Sequence, residues 1–161
     1  MDKQIRAGLD LIAFCEGTST SSLTRNNGYD VIVTGLNEKG EIFTDYSDHP
    51  FANGRPGKIF NKAGQRSTAS GRYQQLFKYW PTYKKLLKLP DFSPDSQDVL
   101  AIQLIREQKA YNVLLAGDIE AFCDKCCDIW ASLPGSTYGQ PTRKLETLKA
   151  KFKEFGGTLH V

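Results

Sequence analysis

Long apolar runs are missing from this 161-residue chain, and so are most residue groupings that specialised chemistry needs. Its most apolar early run, residues 11–15, follows Asp10 and is far shorter than the roughly 20 residues of a membrane span. Asp2 and Asp10 interrupt any secretory apolar segment, and no small-residue cleavage site follows. A start in the cytoplasm and no membrane insertion are therefore expected. Histidine is scarce: His49 and His160 are the only two, and Cys123-x-x-Cys126 has no second pair nearby. No metal site and no cofactor are read from that set. Gly71 stands alone in SGRY, which is no phosphate-cradling loop. The net charge is only +3, from 21 basic and 18 acidic residues, which argues against a nucleic-acid partner. Gly 14 and Pro 7 are ordinary counts and exclude low-complexity sequence. Four cysteines are too few and too clustered for a disulfide framework. Cys123, Cys126 and Cys127 share helical spacing, Cys15 lies far upstream, and all four read as small buried hydrophobes.

What is present has globular proportions, 40% hydrophobic and 24% charged, enough for a single domain over residues 1–161. Seven Tyr and two Trp can line a polar stacking groove as well as a core. Residues 3–15 carry Ile5, Leu9, Ile12 and Ala13 on one face, an amphipathic helix ending on Glu16 with Gly17 as its cap. Residues 18–27 read as loop. The β-rich stretches 29–33 and 41–46 pair as a hairpin across residues 35–40. Residues 50–70 read as a long irregular stretch. From about residue 71 the chain reads as helical to its end. Tyr73, Phe77 and Trp80 recur at helical spacing, and Ser93-Pro94 opens a helix whose stripe is Val99, Ile102 and Ile105, widened by Leu100 and Leu104. That helix is expected to be the central buried one. Asp118 caps a helix running to Leu133, and Pro141 opens the last, with Leu145, Leu148, Phe152 and Phe155 inward. Strands and helices are segregated, so the class is α+β: a small β-hairpin lobe, about residues 28–70, set against a mainly helical lobe with a cleft between.

Among groups that could carry chemistry, a Cys15–His49 nucleophile pair is outweighed by burial of Cys15 on the inner helix face. Glu16 has two readings. At the last turn of a helix the macrodipole offers a carboxylate nothing, and apolar Phe14 and Cys15 desolvate it. Both effects keep a carboxyl protonated near neutrality, as a general acid for glycosidic cleavage requires. The plainer reading is a solvated residue ahead of a helix-ending glycine. Asp30, Asp45 and Asp48 could partner Glu16, although Asp48 and Ser47 also suit the turn before Pro50.

Taken together, EGT (16–18), GYDVIV (28–33), FTDYSDHP (43–50), SGRYQ (70–74), DFSPDSQD (91–98), IWASLPG (129–135) and YGQ (138–140) closely resemble the phage-lambda-type endolysins. The blocks run in that family's order over nearly the whole chain. The resemblance implies a lysozyme-like fold and a lytic transglycosylase that cuts the β-1,4 bond between N-acetylmuramic acid and N-acetylglucosamine without water. It implies Glu16 as the catalytic acid and then base. Aligned onto this chain, the glycan-groove walls are Tyr46, Ser70, Gly71, Arg72, Tyr73, Gln74 and Tyr138. Tyr73 also reads as core beside Phe77, and Arg72 as a solvated helix residue. The implied partner is the peptidoglycan strand, met by a monomer that passes from the host cytoplasm to the periplasm and cell wall through a holin-type pore. Two other readings stay open at this stage: a water-using muramidase with Glu16 as acid and Asp45 or Asp48 as base, and a non-catalytic wall-binding module.

Overall fold

The structure is a computed structural model that describes residues 1–135 and 143–160. The backbone divides into two compact units, Met1–Glu16 with Ala101–Val161 and Gly17–Leu100. No helix among the described residues is long and apolar enough to cross a membrane.

The first unit is built on α1 (Lys3–Glu16), which buries Ile5, Ala7, Gly8, Leu9, Leu11, Ile12, Ala13 and Cys15. Apolar groups around most of its circumference explain why it packs on both α4 (Tyr111–Leu115) and α6 (Leu145–Glu154). Gly8 permits the close approach to α4, because a Cβ there would overlap the Leu114 side chain. Gln4, buried in the first turn of α1, spends its amide on the chain's far end. Its Nε2 donates to Thr158 O (2.9 Å) and Leu115 O (3.2 Å), and its Oε1 accepts Thr158 N–H (2.7 Å). The expected Asp118 cap forms, accepting Ala121 N–H at 3.1 Å and opening α5 (Ile119–Cys126). All four cysteines are free and buried. Burial pushes the Cys15 and Cys126 thiols up to about 12.

The second unit holds the predicted hairpin in shortened form. Here β1 (Val31–Ile32) pairs antiparallel with β2 (Glu41–Ile42), Val31 opposite Ile42. A second hairpin, β3 (Lys58–Ile59) with β4 (Arg66–Ser67), lies where the sequence reads as irregular. Its strands are too short for a period-2 pattern to register. Charge supports it instead: Lys58 pairs with Glu38 (2.8 Å) and Glu41 (3.0 Å), while Arg55 grips Glu41 with two hydrogen bonds of 2.7 and 2.6 Å. Opposite β2, the segment 69–71 lines β1, through Val33 N–H to Ala69 O (2.9 Å) and Gly71 N–H to Val31 O (2.8 Å).

The helical reading of residues 71–76 is corrected. They form a tight turn with Gly71 and Gln74 at positive φ, +84° and +51°; a 3-10 turn, Phe77–Tyr79, then leads into α2 (Trp80–Leu86). On α3 (Pro94–Glu107), Val99 is 44% exposed, and the buried residues are Ser96, Gln97, Asp98, Leu100, Ala101 and Ile105. The expectation of an almost wholly buried α3 is therefore corrected, and α1 is the more buried of the two helices. Two polar residues displace the apolar stripe because each is hydrogen-bonded inside the unit. The amide of Gln97 donates to Phe92 O (3.0 Å) and Tyr29 O (3.1 Å) and accepts Arg72 N–H (2.9 Å). Asp98 Oδ1 accepts the hydroxyls of Tyr29 (2.9 Å) and Tyr73. Two helix ends also differ from expectation. Helix α5 stops at Cys126, and Cys127 to Leu133 form turns closed by Trp130 N–H to Cys126 O (2.9 Å) and Leu133 N–H to Trp130 O (3.0 Å). The last helix begins at Leu145, with Pro141 outside the described residues; Leu148 and Phe152 face inward as expected.

Removing the Gln97 amide orphans three buried backbone groups at once. Gln97→Ala should lower stability by about 2–4 kcal/mol, read as a reduced urea midpoint. A midpoint equal to wild type would contradict the role given to this side chain.

Candidate active site

Glu16 closes α1, and Gly17 turns the chain away with φ +76°, a left-handed conformation that glycine adopts at least cost. Thr18, next along, is buried and donates its hydroxyl to Arg72 O at 2.6 Å. Glu16 is thus the last helical residue before the chain turns. Around the end of α1, Phe14 meets Phe155 edge-on with ring centroids 6.4 Å apart. Arg143 lies over the Phe14 ring at 4.3 Å and Lys151 at 5.1 Å. Ser132 Oγ donates to Glu16 Oε1 at 3.0 Å. Desolvation by burial raises the carboxyl from the usual 4.5 to about 7, against the opposing pull of the Ser132 hydrogen bond. A carboxyl poised there is protonated in part at neutral pH and can both give and recover a proton.

The sequence-derived groove residues differ in burial. Ser70, Gly71, Arg72 and Tyr73 come together in one tight turn, and all four are buried. Arg72 Nε donates to Asn27 O (2.9 Å), and its guanidinium lies over the Tyr29 and Tyr73 rings at 5.2 and 5.7 Å. Ser70 Oγ donates to Thr68 O (3.0 Å). Gln74 is half-buried and gives its amide to Gly71 O (3.0 Å). Half-buried Tyr46 has its hydroxyl accepting Asn26 Nδ2–H at 2.9 Å and its carbonyl accepting Phe92 N–H at 2.9 Å. Tyr138 lies outside the described residues. Tyr46 and Gln74 are thus the accessible members, and the others shape the backbone beneath.

The three β-lobe acids are each committed locally. Asp30 accepts the Thr24 hydroxyl and Arg25 N–H (2.9 Å), and Asp45 accepts Ser47 N–H (2.9 Å). Asp48 accepts Trp80 Nε1–H (2.7 Å) and His49 N–H (2.9 Å). His49 is core: Nε2 meets Gln75 O at 2.9 Å, Nδ1 accepts Phe51 N–H at 3.2 Å, and the ring lies 4.8 Å from that of Phe92. Burial pushes the Cys15 thiol well above its ordinary range, the opposite of a nucleophile's requirement. Ser132, the hydrogen-bond partner of Glu16, is a residue that single positions do not single out. Its one signal was its place in IWASLPG.

The endolysin family profile matches residues 6–159. The chain belongs to the endolysin family. Endolysins of Escherichia phages P2 and lambda are 60% and 49% identical to it. Those alignments cover 96% and 99% of this chain, and 94% and 95% of the relatives. The lambda phage lysozyme complexed with a chitohexasaccharide superposes with a TM-score of 0.88 at 48% identity, over 99% of this chain and 98% of that one. A second structure of lambda lysozyme gives 0.85 at 46%, with the same coverage. The lysozyme-like α+β fold is therefore that of this endolysin-family chain, and its class of activity is peptidoglycan degradation by glycosidic cleavage.

The raised Glu16 carboxyl links activity to stability. Its proton is held more tightly in the folded state than in the unfolded chain. That contribution is complete below about pH 4.5 and is lost as pH rises through about 7. Glu16→Gln has no such proton to lose. Relative to wild type, it should gain stability on going from pH 4.5 to about pH 8, by up to about 3 kcal/mol in urea unfolding. A difference independent of pH would contradict the raised value.

Proposed function

We propose that the chain is a lytic transglycosylase acting on the β-1,4 bond between N-acetylmuramic acid and N-acetylglucosamine. The observation that carries this reading is the Glu16 carboxyl, desolvated to titrate near neutrality and held by a neutral serine rather than by a cation. In the proposed sequence Glu16 gives its proton to the leaving glycosidic oxygen as the C1–O bond breaks. The same carboxylate then takes the proton from the muramyl 6-hydroxyl, whose oxygen closes onto C1. Acid becomes base, and the residue ends as it began, with no water consumed. No second carboxylate is needed, which accords with the local commitments of Asp30, Asp45 and Asp48. The chitohexasaccharide in the lambda lysozyme complex supports a glycan as ligand here. Tyr46 and Gln74, with Tyr138, are the proposed contacts to it. Access from the cytoplasm to the wall is proposed to need a pore made by another protein, and the working unit is proposed to be a monomer.

Glu16→Gln should lose roughly 10²–10⁴-fold in lysis of permeabilised Gram-negative cells while its circular dichroism is unchanged. Asp45→Asn and Asp48→Asn keep their acceptor oxygens and should stay within a few-fold of wild type. Mass spectrometry of products from purified peptidoglycan should show 1,6-anhydromuramyl ends, one water lighter than reducing ends. Reducing-end muramic acid as the main initial product would overturn the transglycosylase reading in favour of a muramidase.

A further inference from the structure

Glu16 has two carboxyl oxygens, yet the proposed cycle exchanges one proton at one of them. The terminal torsion of a glutamate is broad and two-fold, so an unrestrained carboxyl presents either oxygen equally. Here one oxygen is taken, because Ser132 Oγ lies 3.0 Å from Oε1. The serine cannot drift. Trp130 and Leu133 on either side are 2% and 0% exposed, and Ser132 itself is 7% exposed. Trp130 N–H bonds Cys126 O and Leu133 N–H bonds Trp130 O, so this turn is stapled to the end of α5. A hydroxyl also suits both states of its partner. It donates to the carboxylate, and it still donates to Oε1 when the proton sits on Oε2.

We propose that Ser132 is a positioning residue for Glu16, its hydroxyl holding Oε1 in both protonation states and reserving Oε2 for the proton exchanged with substrate. This inference rests on Glu16 being the acid and base. Among the described residues, the ionisable groups on the elements around this end of α1 include Cys15, Cys123, Asp124, Arg143, Lys151 and Glu154. None of them contributes to the shift of Glu16, which has only burial and Ser132 as its causes. Among the described residues, Ser132 is therefore the polar group that opposes burial at Glu16.

The test uses the full chain as Ser132→Ala, Ser132→Thr and Glu16→Gln. Two readouts are needed: the pH profile of kcat/KM on purified peptidoglycan, and a carbon-13 NMR titration of the Glu16 carboxyl. In Ser132→Ala the carboxyl should titrate about half a unit to one unit higher than in wild type, and the alkaline limb should move up with it. At the optimum, kcat should fall roughly tenfold with KM within about twofold, because orientation rather than binding is lost. Ser132→Thr, which keeps the hydroxyl, should restore titration and rate. Ser132→Cys, close in volume and a weaker donor, should shift in the same direction by less, and it serves if the Ala variant unfolds. An unmoved titration with Glu16→Gln inactive overturns the role of Ser132 alone, as does failure of Thr to rescue. Full activity in Glu16→Gln overturns the earlier reading and this one with it.

Discussion

A polar group taken out of water must find its full set of partners inside the protein, and both units are arranged around that demand. In the Gly17–Leu100 unit, one glutamine and one aspartate on the first turns of α3 gather Tyr29, Phe92, Arg72 and Tyr73. Strands two residues long could not hold a lobe by ladder bonds alone. In the other unit, Gln4 ties the start of α1 to the chain's end. At the opposite end of the same helix, Glu16 has among the described residues one serine and no cation bonded to it to offset its burial. The first three side chains are satisfied and structural. Glu16 is left partly compensated, and that shortfall is what raises its carboxyl to about 7.

The α+β class, α1 with its Gly17 cap, the first hairpin and the Asp118 cap were legible because each has a local cause. Apolar spacing, a left-handed glycine and a capping oxygen act within a few residues of one another. The second hairpin was not legible, since its register depends on ion pairs reaching from Lys58 to Glu38 and Glu41. Nor was the true face of α3. Counting apolar residues put Val99 inside, whereas tyrosine hydroxyls from far along the chain draw Asp98 in. The turn at residues 71–76 misled for a related reason: Tyr73 and Trp80 are both core, but the backbone between them reverses at Gln74 instead of coiling.

The candidate site divides in the same way. Helix-end position and apolar neighbours pointed to Glu16 as a group whose titration would be disturbed, and its carboxyl is raised as that reasoning expects. Ser132 sits 116 residues away in sequence, so no pattern around Glu16 could announce it. The SGRYQ block, read as groove wall, is largely interior. Its residues set the course of the backbone, and a site can depend on such residues without their touching a ligand.

The four buried thiols bear on how the molecule tolerates its surroundings. Sulfur exchanges with oxidants and disulfides through the thiolate. Thiols held up to about 12, as Cys15 and Cys126 are, leave a thiolate population of roughly 10⁻⁵ at neutral pH. Cys123 and Cys127 are raised in the same direction and are likewise covered. Burial and the raised thiols act in the same direction, so in the folded chain these four sulfurs are withdrawn from thiolate chemistry, and reagents reach them only as far as the fold opens.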